Sequence, residues 1–159
     1  ICCQGGLKVR RLLKIVLAVL ALSLSAFLFF WQPSSYASPQ RYSGNIDLLA
    51  RVIAAESEGE PFEGQVAVGS VLLNRVQSPL FPNSIASVIY QPKAFESVSN
   101  GLIWRRTPSN AAYTAARAAI NGWDPTYGCI FFWNPSKKVS AWIWSRKIIR
   151  WIGNHVFAR

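Results

Sequence analysis

The chain has little of several residue types that common functional sites require. Histidine occurs once, at position 155, so a metal site built on several histidines is excluded, and a lone histidine near the end of the chain is expected to be structural. Of the three cysteines, only Cys129 follows the apolar segment described below, so that part of the chain has no partner for an intrachain disulfide. We therefore expect Cys129 to pack in the core and the site to use neither metal nor other cofactor.

Acidic residues are also scarce, with seven Asp and Glu against 17 Lys and Arg and a net charge of +10 at pH 7. Such a balance is typical of proteins that bind an anionic polymer such as a cell wall, an anionic membrane surface or a nucleic acid. Export, predicted below, argues against nucleic acid. Methionine is missing altogether and the first residue is isoleucine, so we expect the natural start to be missing or altered.

The first third of the chain has the layout of an export signal. A basic cluster precedes the uncharged run IVLAVLALSLSAFLFFW at residues 15–31, and a Pro- and Ser-rich stretch with a possible cleavage point after Ala37 follows. The run is also long enough to span a bilayer with tilt, so an uncleaved membrane anchor is the alternative. The predicted organisation is a signal peptide or membrane anchor at 1–37, a linker and helix start at 38–48, and a catalytic domain at 49–159.

Apolar periodicity predicts a mainly α domain of the α+β class with a small β element. Apolar residues at helical spacing follow Asn45 and continue to about Glu56. The short aromatic stretch 129–133 is expected to be extended, whereas the tail 141–153 fits either a helix or a hairpin. Further helices are predicted from Pro61 to just before Ser78, within 81–90, and from Ser109 to Asn121.

The stretch AAESEGEP at 54–61 concentrates three of the seven carboxylates in one place. Glu56 lies at a predicted helix end, where the helix dipole and apolar neighbours disfavour negative charge. We therefore expect it to hold a proton near neutral pH, as a general acid for glycosidic cleavage must. Glu60, at the start of the next helix, is expected to stay ionised, and Glu58 to point outward. A solvated turn between two helices is the alternative.

Four segments resemble the catalytic domain of the spore cortex-lytic cell wall hydrolases, the SleB/CwlJ-type family. They follow one another in the family's order, with similar gaps, from Leu49 to Arg159. The segments are AAESEGEPFEGQVAVGSVLLNRV at 54–76, FPNSIASVIYQPKAFESVSNGLI at 81–103, AARAAINGWDPTYGCIFFWNP at 115–135 and SAWIWSRKIIRWIGNHVFAR at 140–159.

The resemblance implies a compact, lysozyme-like helical domain that cleaves peptidoglycan between N-acetylmuramic acid and N-acetylglucosamine. It implies a lytic transglycosylase of the spore cortex, active during germination. The family's Glu-x-x-Gly-Glu-Pro motif assigns the general acid to Glu56 and a supporting role to Glu60. A hydrolytic reaction would add a base across the sugar. Candidates for that base are Glu60, Glu63, Glu96 and Asp124.

Two amides and two tryptophans are predicted to bind substrate. Gln65 and Asn134 lie in the matched segments, and their side chains can hydrogen-bond sugar hydroxyl or acetamido groups. Trp133 and Trp142 belong to an aromatic-rich last third, and aromatic faces stack on the C–H faces of sugars. The alternatives are amides that satisfy backbone groups and aromatic rings that pack in the core.

The chain departs from both branches of the family. We expect that the short stretch from Pro39 to Asn45 leaves no room for the peptidoglycan-binding domain that precedes the catalytic domain in one branch, and the chain carries the export segment that the other branch typically lacks. A vegetative wall-remodelling glycosidase and a non-catalytic, membrane-anchored peptidoglycan-binding module therefore stay open. The expected partners are peptidoglycan strands and, if the segment is uncleaved, the membrane. We expect a monomer without nucleic acid, exported to the cell wall or to the spore cortex and inner membrane periphery.

Overall fold

The structure of the protein is a computed structural model, and it describes residues 45–159. The signal or anchor predicted at 1–37 lies outside these residues. None of the helices from residue 45 onward is long and apolar enough to cross a bilayer. The elements in chain order are α1 (Ile46–Glu56), α2 (Phe62–Gln77), α3 (Ile85–Ile89), α4 (Glu96–Ser99), α5 (Leu102–Arg105), α6 (Asn110–Ile120), β1 (Phe131–Trp133), a 3-10 helix (Ala141–Ser145), β2 (Ile148–Ile152) and β3 (His155–Ala158).

Helices α1, α2 and α6 pack together around the largest of three apolar clusters in residues 45–159. Gly69 of α2 lies where the three helices approach one another. A Cβ at this position would be 3.0 Å from Cδ1 of Ile53 and 3.2 Å from Cβ of Ala119, so glycine permits the close approach. Ser109 begins α6 as predicted, since its hydroxyl accepts a hydrogen bond from the Ala112 amide at 3.2 Å.

The β element is a three-stranded antiparallel sheet in the order β1-β3-β2. The central strand β3 is buried along its whole length, and Phe157 joins Ile152 and Cys129 in a second apolar cluster against α2. Burial raises the pKa of the Cys129 thiol to about 11, in keeping with a packing role. The tail, which fitted a helix or a hairpin, contains both a 3-10 helix and the β2–β3 hairpin.

The mainly helical class with a small sheet is confirmed. The predicted helices differ from the observed ones only at their ends, but the short helices α4 and α5 were not predicted. Helix α1 ends at Glu56 as expected. Asn45 precedes it but makes no side-chain capping hydrogen bond. Pro61 is the residue before α2 rather than its first residue, because its extended backbone (φ −57°, ψ 155°) lies outside the helical region.

A loop built on Asp124 ties the segment after α6 to α2. Its carboxylate accepts hydrogen bonds from Thr126 Oγ1 at 2.6 Å, the Thr126 and Gly128 amides at 2.8 and 2.7 Å, and Asn74 Nδ2 at 3.0 Å. Burial acts to raise the pKa of Asp124, but these hydrogen bonds together hold it below its ordinary value of 3.8.

Because the folded-state pKa of Asp124 is depressed, its ionisation stabilises the fold above about pH 4, and that contribution is lost as pH falls further. We expect Asp124→Asn to be less stable than the parent at pH 7, with the gap narrowing below about pH 4. Urea unfolding midpoints measured from pH 7 to pH 3 check this. A gap that stays constant over the whole range would contradict the assignment.

Candidate active site

Glu56 is the last residue of α1, and its side chain is half-buried. Its Oε1 is buried and has no hydrogen-bond partner among residues 45–159. The helix end is fixed by Ser57, whose amide and hydroxyl both donate to the Ile53 carbonyl, at 2.9 and 2.6 Å. A buried, unsatisfied carboxylate oxygen on a fixed helix end calls for a functional explanation.

Arg75 of α2 is a buried cation whose charge interacts with that of Glu56. Its Nε donates to the Ile130 carbonyl at 2.8 Å, and its guanidinium lies 5.3 Å from the ring centroids of both Phe81 and Phe95. Burial lowers the pKa of Arg75 to about 10, and the Glu56 carboxylate acts in the opposite direction. The Glu56 carboxylate therefore lies within electrostatic range of a buried guanidinium.

Glu60 is buried, with 8% of its surface exposed, and its carboxylate holds the β2–β3 turn. Oε2 accepts from the Asn154 backbone amide at 2.9 Å, and Oε1 accepts from Asn154 Nδ2 at 3.1 Å. Nδ1 of His155 lies 3.5 Å from Oε1. These contacts join the acidic turn to the sheet, and the supporting catalytic role that the sequence assigned to Glu60 stays a prediction.

Glu58 is exposed, as predicted, and pairs with Arg106. Arg106 also donates from Nη1 to the Ala54 carbonyl at 3.1 Å, so it covers the last turn of α1. The ion pair is solvated and contributes little to stability. Glu58 is therefore a suitable control residue for substitutions at Glu56, which lies two residues earlier.

A cleft of about 110 Å³ borders the acidic turn on the side of Glu58 and Arg106. Gln65 lines it, and its Nε2 donates to the Glu60 carbonyl at 3.1 Å. That bond fits the alternative reading of Gln65 as an amide that satisfies backbone, while substrate binding by Gln65 stays a prediction. Glu56 is not among the residues that line this cleft.

The two tryptophans predicted to bind glycan have different environments. Trp133 is 5% exposed and packs edge-on against Trp144, with ring centroids 5.2 Å apart, so neither of its faces is open to a sugar. Its prediction is corrected on this ground. Trp142 is 52% exposed, and Phe131 and Arg146 support it at 5.4 and 4.7 Å. Its ring fits the predicted stacking role.

Asn134 forms the turn after β1. Its Oδ1 accepts from the Ser136 amide at 2.8 Å, and its carbonyl accepts from the Lys137 amide at 3.1 Å. The amide side chain thus serves the backbone, as the alternative reading held, and contact with substrate stays a prediction. Among residues 45–159, no three His, Cys, Asp or Glu side chains are placed to hold a metal ion.

Sequence reasoning did not foresee the roles of Arg75, Asn154 and His155. All three lie in segments that carry the family resemblance, which was the available signal. The Asn154–Glu60 contact spans 94 residues, and the hydrogen bond from Arg75 to the Ile130 carbonyl spans 55. Only the tertiary structure brings them together.

Fold and site together define a small α+β domain with one partly buried glutamate at a helix end, braced by a hairpin. The chain belongs to the cell wall hydrolase family, since the family profile described as Cell Wall Hydrolase matches residues 59–158. The resemblance stated from the sequence is thereby confirmed.

Curated relatives agree with this membership. The chain is 47% identical over 122 residues to the spore cortex-lytic enzyme of Oceanobacillus iheyensis, covering 76% of this chain and 44% of that protein. It is 48% identical over 120 residues to the spore cortex-lytic enzyme of Bacillus subtilis, covering 75% and 39%. The chain thus spans less than half the length of these two relatives. Cell wall hydrolase CwlJ of Bacillus subtilis is 31% identical over 122 residues, covering 72% and 84%.

Solved structures share the fold. The catalytic domain of the Bacillus cereus SleB protein superposes with a TM-score of 0.68 at 45% identity, covering 80% of this chain and 94% of that domain. The catalytic domain of the germination-specific lytic transglycosylase SleB from Bacillus anthracis gives the same TM-score at 43% identity, covering 80% and 100%. The described part of the chain therefore corresponds to a catalytic domain of the family.

Proposed function

We propose that this domain cleaves peptidoglycan glycan strands between N-acetylmuramic acid and N-acetylglucosamine, as a lytic transglycosylase of the spore cortex during germination. Family membership supports action on the cell wall. The names of the relatives support the cortex as the substrate, and the Bacillus anthracis neighbour supports transglycosylation. We propose an exported monomer with peptidoglycan as its partner and no cofactor.

The observation that carries the proposal is the state of Glu56. Its carboxyl group ends a helix, is half-buried, and has a buried oxygen without a partner among the described residues. Glu58, an exposed residue of the same turn, has no buried oxygen without a partner. We assign Glu56 as the general acid that protonates the glycosidic oxygen.

The remaining acids favour a mechanism with one catalytic carboxylate. Of the four candidate bases for hydrolysis, Glu60 is bound to Asn154, Asp124 accepts four hydrogen bonds, and Glu63 pairs with Arg150 at 2.8 Å. Glu96 is exposed at the start of α4. Three of the four are thus committed to structural contacts.

In the proposed reaction, Glu56 donates its proton to the glycosidic oxygen as the bond from C1 of N-acetylmuramic acid to that oxygen breaks. The 6-hydroxyl of the same muramyl residue attacks C1, and its proton passes to Glu56. The products are a strand that ends in 1,6-anhydromuramic acid and a strand with a free N-acetylglucosamine hydroxyl. No water is consumed, and the glutamate is regenerated in its protonated form.

We place one glycan contact at Trp142. Its exposed ring, held edge-on by Phe131, offers a face to a sugar. Lys137, Lys138 and Lys147 are exposed in the same third of the chain and add positive charge toward an anionic wall. A vegetative wall substrate, or binding without cleavage, would use the same surface, so product analysis has to separate these functions.

We expect digestion of purified spore cortex by the domain to release muropeptides with 1,6-anhydro ends, which mass spectrometry separates from reducing ends by the mass of one water. Vegetative sacculi, treated in parallel, are expected to yield less. Reducing ends alone would replace transglycosylation with hydrolysis, and equal yields from both walls would move the substrate to the vegetative wall. Sedimentation with peptidoglycan but no new ends at any concentration would leave only a binding module.

A further inference from the structure

Three exposed aromatic side chains lie at the start of α2 and in the loop after α6, and the proposed reaction uses none of them. Phe62 is 40% exposed, Trp123 46% and Tyr127 64%. The rings of Phe62 and Trp123 pack on each other with centroids 5.9 Å apart, yet each keeps a large part of its surface open. Large aromatic side chains gain much from burial, so a group of exposed ones indicates a binding surface.

An ion pair lies among these rings. Nη2 of Arg150 in β2 is 2.8 Å from Oε1 of Glu63 in the first turn of α2. Nη1 of the same guanidinium donates to the Pro125 carbonyl at 2.9 Å, and the group lies 5.8 Å from the centroid of the Tyr127 ring. Pro125 in turn stands between Trp123 and Tyr127 in the loop. We call this ion pair and the three rings around it the aromatic patch.

Tyr127 is held in a backbone conformation that tyrosine rarely adopts. Its φ is 57°, in the left-handed region where glycine and asparagine are the common residues. The amides on either side of it, of Thr126 and Gly128, donate to the Asp124 carboxylate and fix the loop. An exposed ring is thus presented at a local cost in stability, a combination that clusters at functional sites.

The aromatic patch and Trp142 lie on opposite faces of the sheet. In the strand register Arg150 is opposite Phe157, whereas Phe131, which supports Trp142, is opposite Ala158. Successive side chains of a strand project to opposite faces, so the residues paired with these two neighbours do the same. The patch is therefore separate from the glycan contact proposed at Trp142.

The charges of the patch determine which class of partner it fits. Arg150 and Glu63 cancel each other, and Asp124 is enclosed by four hydrogen bonds, so only Arg159 at the edge is left to attract an anionic bilayer. A protein partner would bury the ion pair in the middle of its contact, where interfaces are depleted of charge, and would strip its water. A sugar brings hydroxyl groups that replace this water, while its C–H faces stack on the rings.

We propose that the aromatic patch is a second binding site for the glycan strand of peptidoglycan. Its uncharged sugar rings stack on Trp123 and Tyr127, and their hydroxyl groups hydrogen-bond to Glu63 and Arg150. The inference rests on the proposed function for the identity of the polymer. A second contact on the same polymer raises the effective concentration of strand at Glu56, so the patch keeps the domain on its insoluble substrate.

Binding is measured with the Glu56→Gln protein, so that strands are not cut during sedimentation with purified cortex peptidoglycan. Adding Tyr127→Asn is expected to weaken binding by about 3- to 10-fold, because one stacking ring is lost, and to leave the protein folded, because asparagine accepts the left-handed backbone. Trp123→Ala should have an effect of the same size. Trp104→Ala is the matched control and should bind normally, since Trp104 is 57% exposed and lies under Arg51 at 5.3 Å, but belongs to α5, which packs on α1.

Unchanged binding in the folded Tyr127→Asn protein overturns the proposal even if Trp123→Ala does not fold. An equal loss in Trp104→Ala also overturns it, because the effect would then belong to any exposed ring. The same holds if the patch variants keep their affinity for peptidoglycan but lose binding to phosphatidylglycerol vesicles, or lose self-association in sedimentation velocity. The occupant would then be a membrane or a second copy of the chain.

The second readout is cleavage by the active enzyme. Tyr127→Asn and Trp123→Ala should slow release from insoluble cortex by a factor similar to their loss of binding, and should leave turnover of short soluble strand fragments within about twofold of the parent. An equal loss on both substrates would place the two rings in the catalytic groove and refute a second site.

Failure of this proposal is distinguishable from failure of the proposed function. A parent that sediments with cortex but forms no new ends refutes the function and leaves the comparison of binding between variants valid. A parent that cleaves cortex, with patch variants that bind and cleave as it does, keeps its function and loses only the second site.

Discussion

Glu56→Gln is expected to reduce release of muropeptides from purified cortex by at least about 10²- to 10⁴-fold, the usual contribution of a positioned proton donor. Glutamine keeps the size and one hydrogen-bonding oxygen of the side chain but has no transferable acid proton. Because transglycosylation as proposed here uses the same group to donate the first proton and accept the second, both steps fail together. The measurement is the initial rate of new 1,6-anhydro ends at fixed enzyme and cortex concentrations.

The control for this experiment is Glu58→Gln, which removes a charge from the same turn. Glu58 is exposed and its pairing with Arg106 is solvated, so we expect activity within about twofold of the parent and little change in stability. Circular dichroism and thermal unfolding should show both variants folded. Muropeptide release by a folded Glu56→Gln at the rate of Glu58→Gln would refute the assignment of the acid.

Local sequence was sufficient to predict the longer helices and the position of Glu56 at the end of α1. The ends of α1 and α6 follow from apolar periodicity and from Ser109, a capping signal that acts over three residues. Glu56 follows from the same pattern, since a helix that begins near Asn45 and stays apolar must end at the acidic stretch. These inferences need no knowledge of distant contacts.

The environment of Glu60 could not be predicted in this way. From sequence it is a second acid at a helix start, equivalent to any solvated first-turn glutamate. In the fold it is buried because the β2–β3 turn covers it, and its two acceptors are matched to donors of Asn154, 94 residues later. Burial and partner choice of this kind depend on tertiary packing rather than on pattern.

Trp133 and Trp142 illustrate the same limit for aromatic residues. Both belong to one aromatic-rich region, and composition treats them alike. Strand β1 places Trp133 toward Val156 and Ala158 of β3 in a small apolar cluster, whereas the 3-10 helix leaves Trp142 on the surface. Which ring is available for a sugar is therefore decided by the sheet and by the 3-10 helix, and the sequence left the tail that contains Trp142 open between a helix and a hairpin.

Gly153 lies in the turn of the β2–β3 hairpin that covers Glu60. We expect Gly153→Ala, which adds one methyl group there, to lower the free energy of unfolding strongly. Gly153 has a positive φ of 55°, and a Cβ there would overlap Oε2 of Glu60 and lie 2.8 Å from Cδ of Pro61. Gly153→Ala therefore combines left-handed backbone strain of about 1–2 kcal/mol with overpacking of about 1–3 kcal/mol. We expect the free energy of unfolding to fall by about 2–5 kcal/mol and Tm by about 10 °C or more.

Gly59→Ala is the matched control, because Gly59 also has a positive φ, 79°, but nothing lies within 4 Å of the added methyl group. It should lose only the backbone term of about 1–2 kcal/mol. A double-mutant cycle with Glu60→Ala isolates the contact, since Gly153→Ala should cost less once the carboxylate is gone. Equal losses at Gly59 and Gly153, or a cycle without coupling, would show that the hairpin does not close on Glu60 in solution, and the bracing of the acidic turn by the sheet would then have to be abandoned.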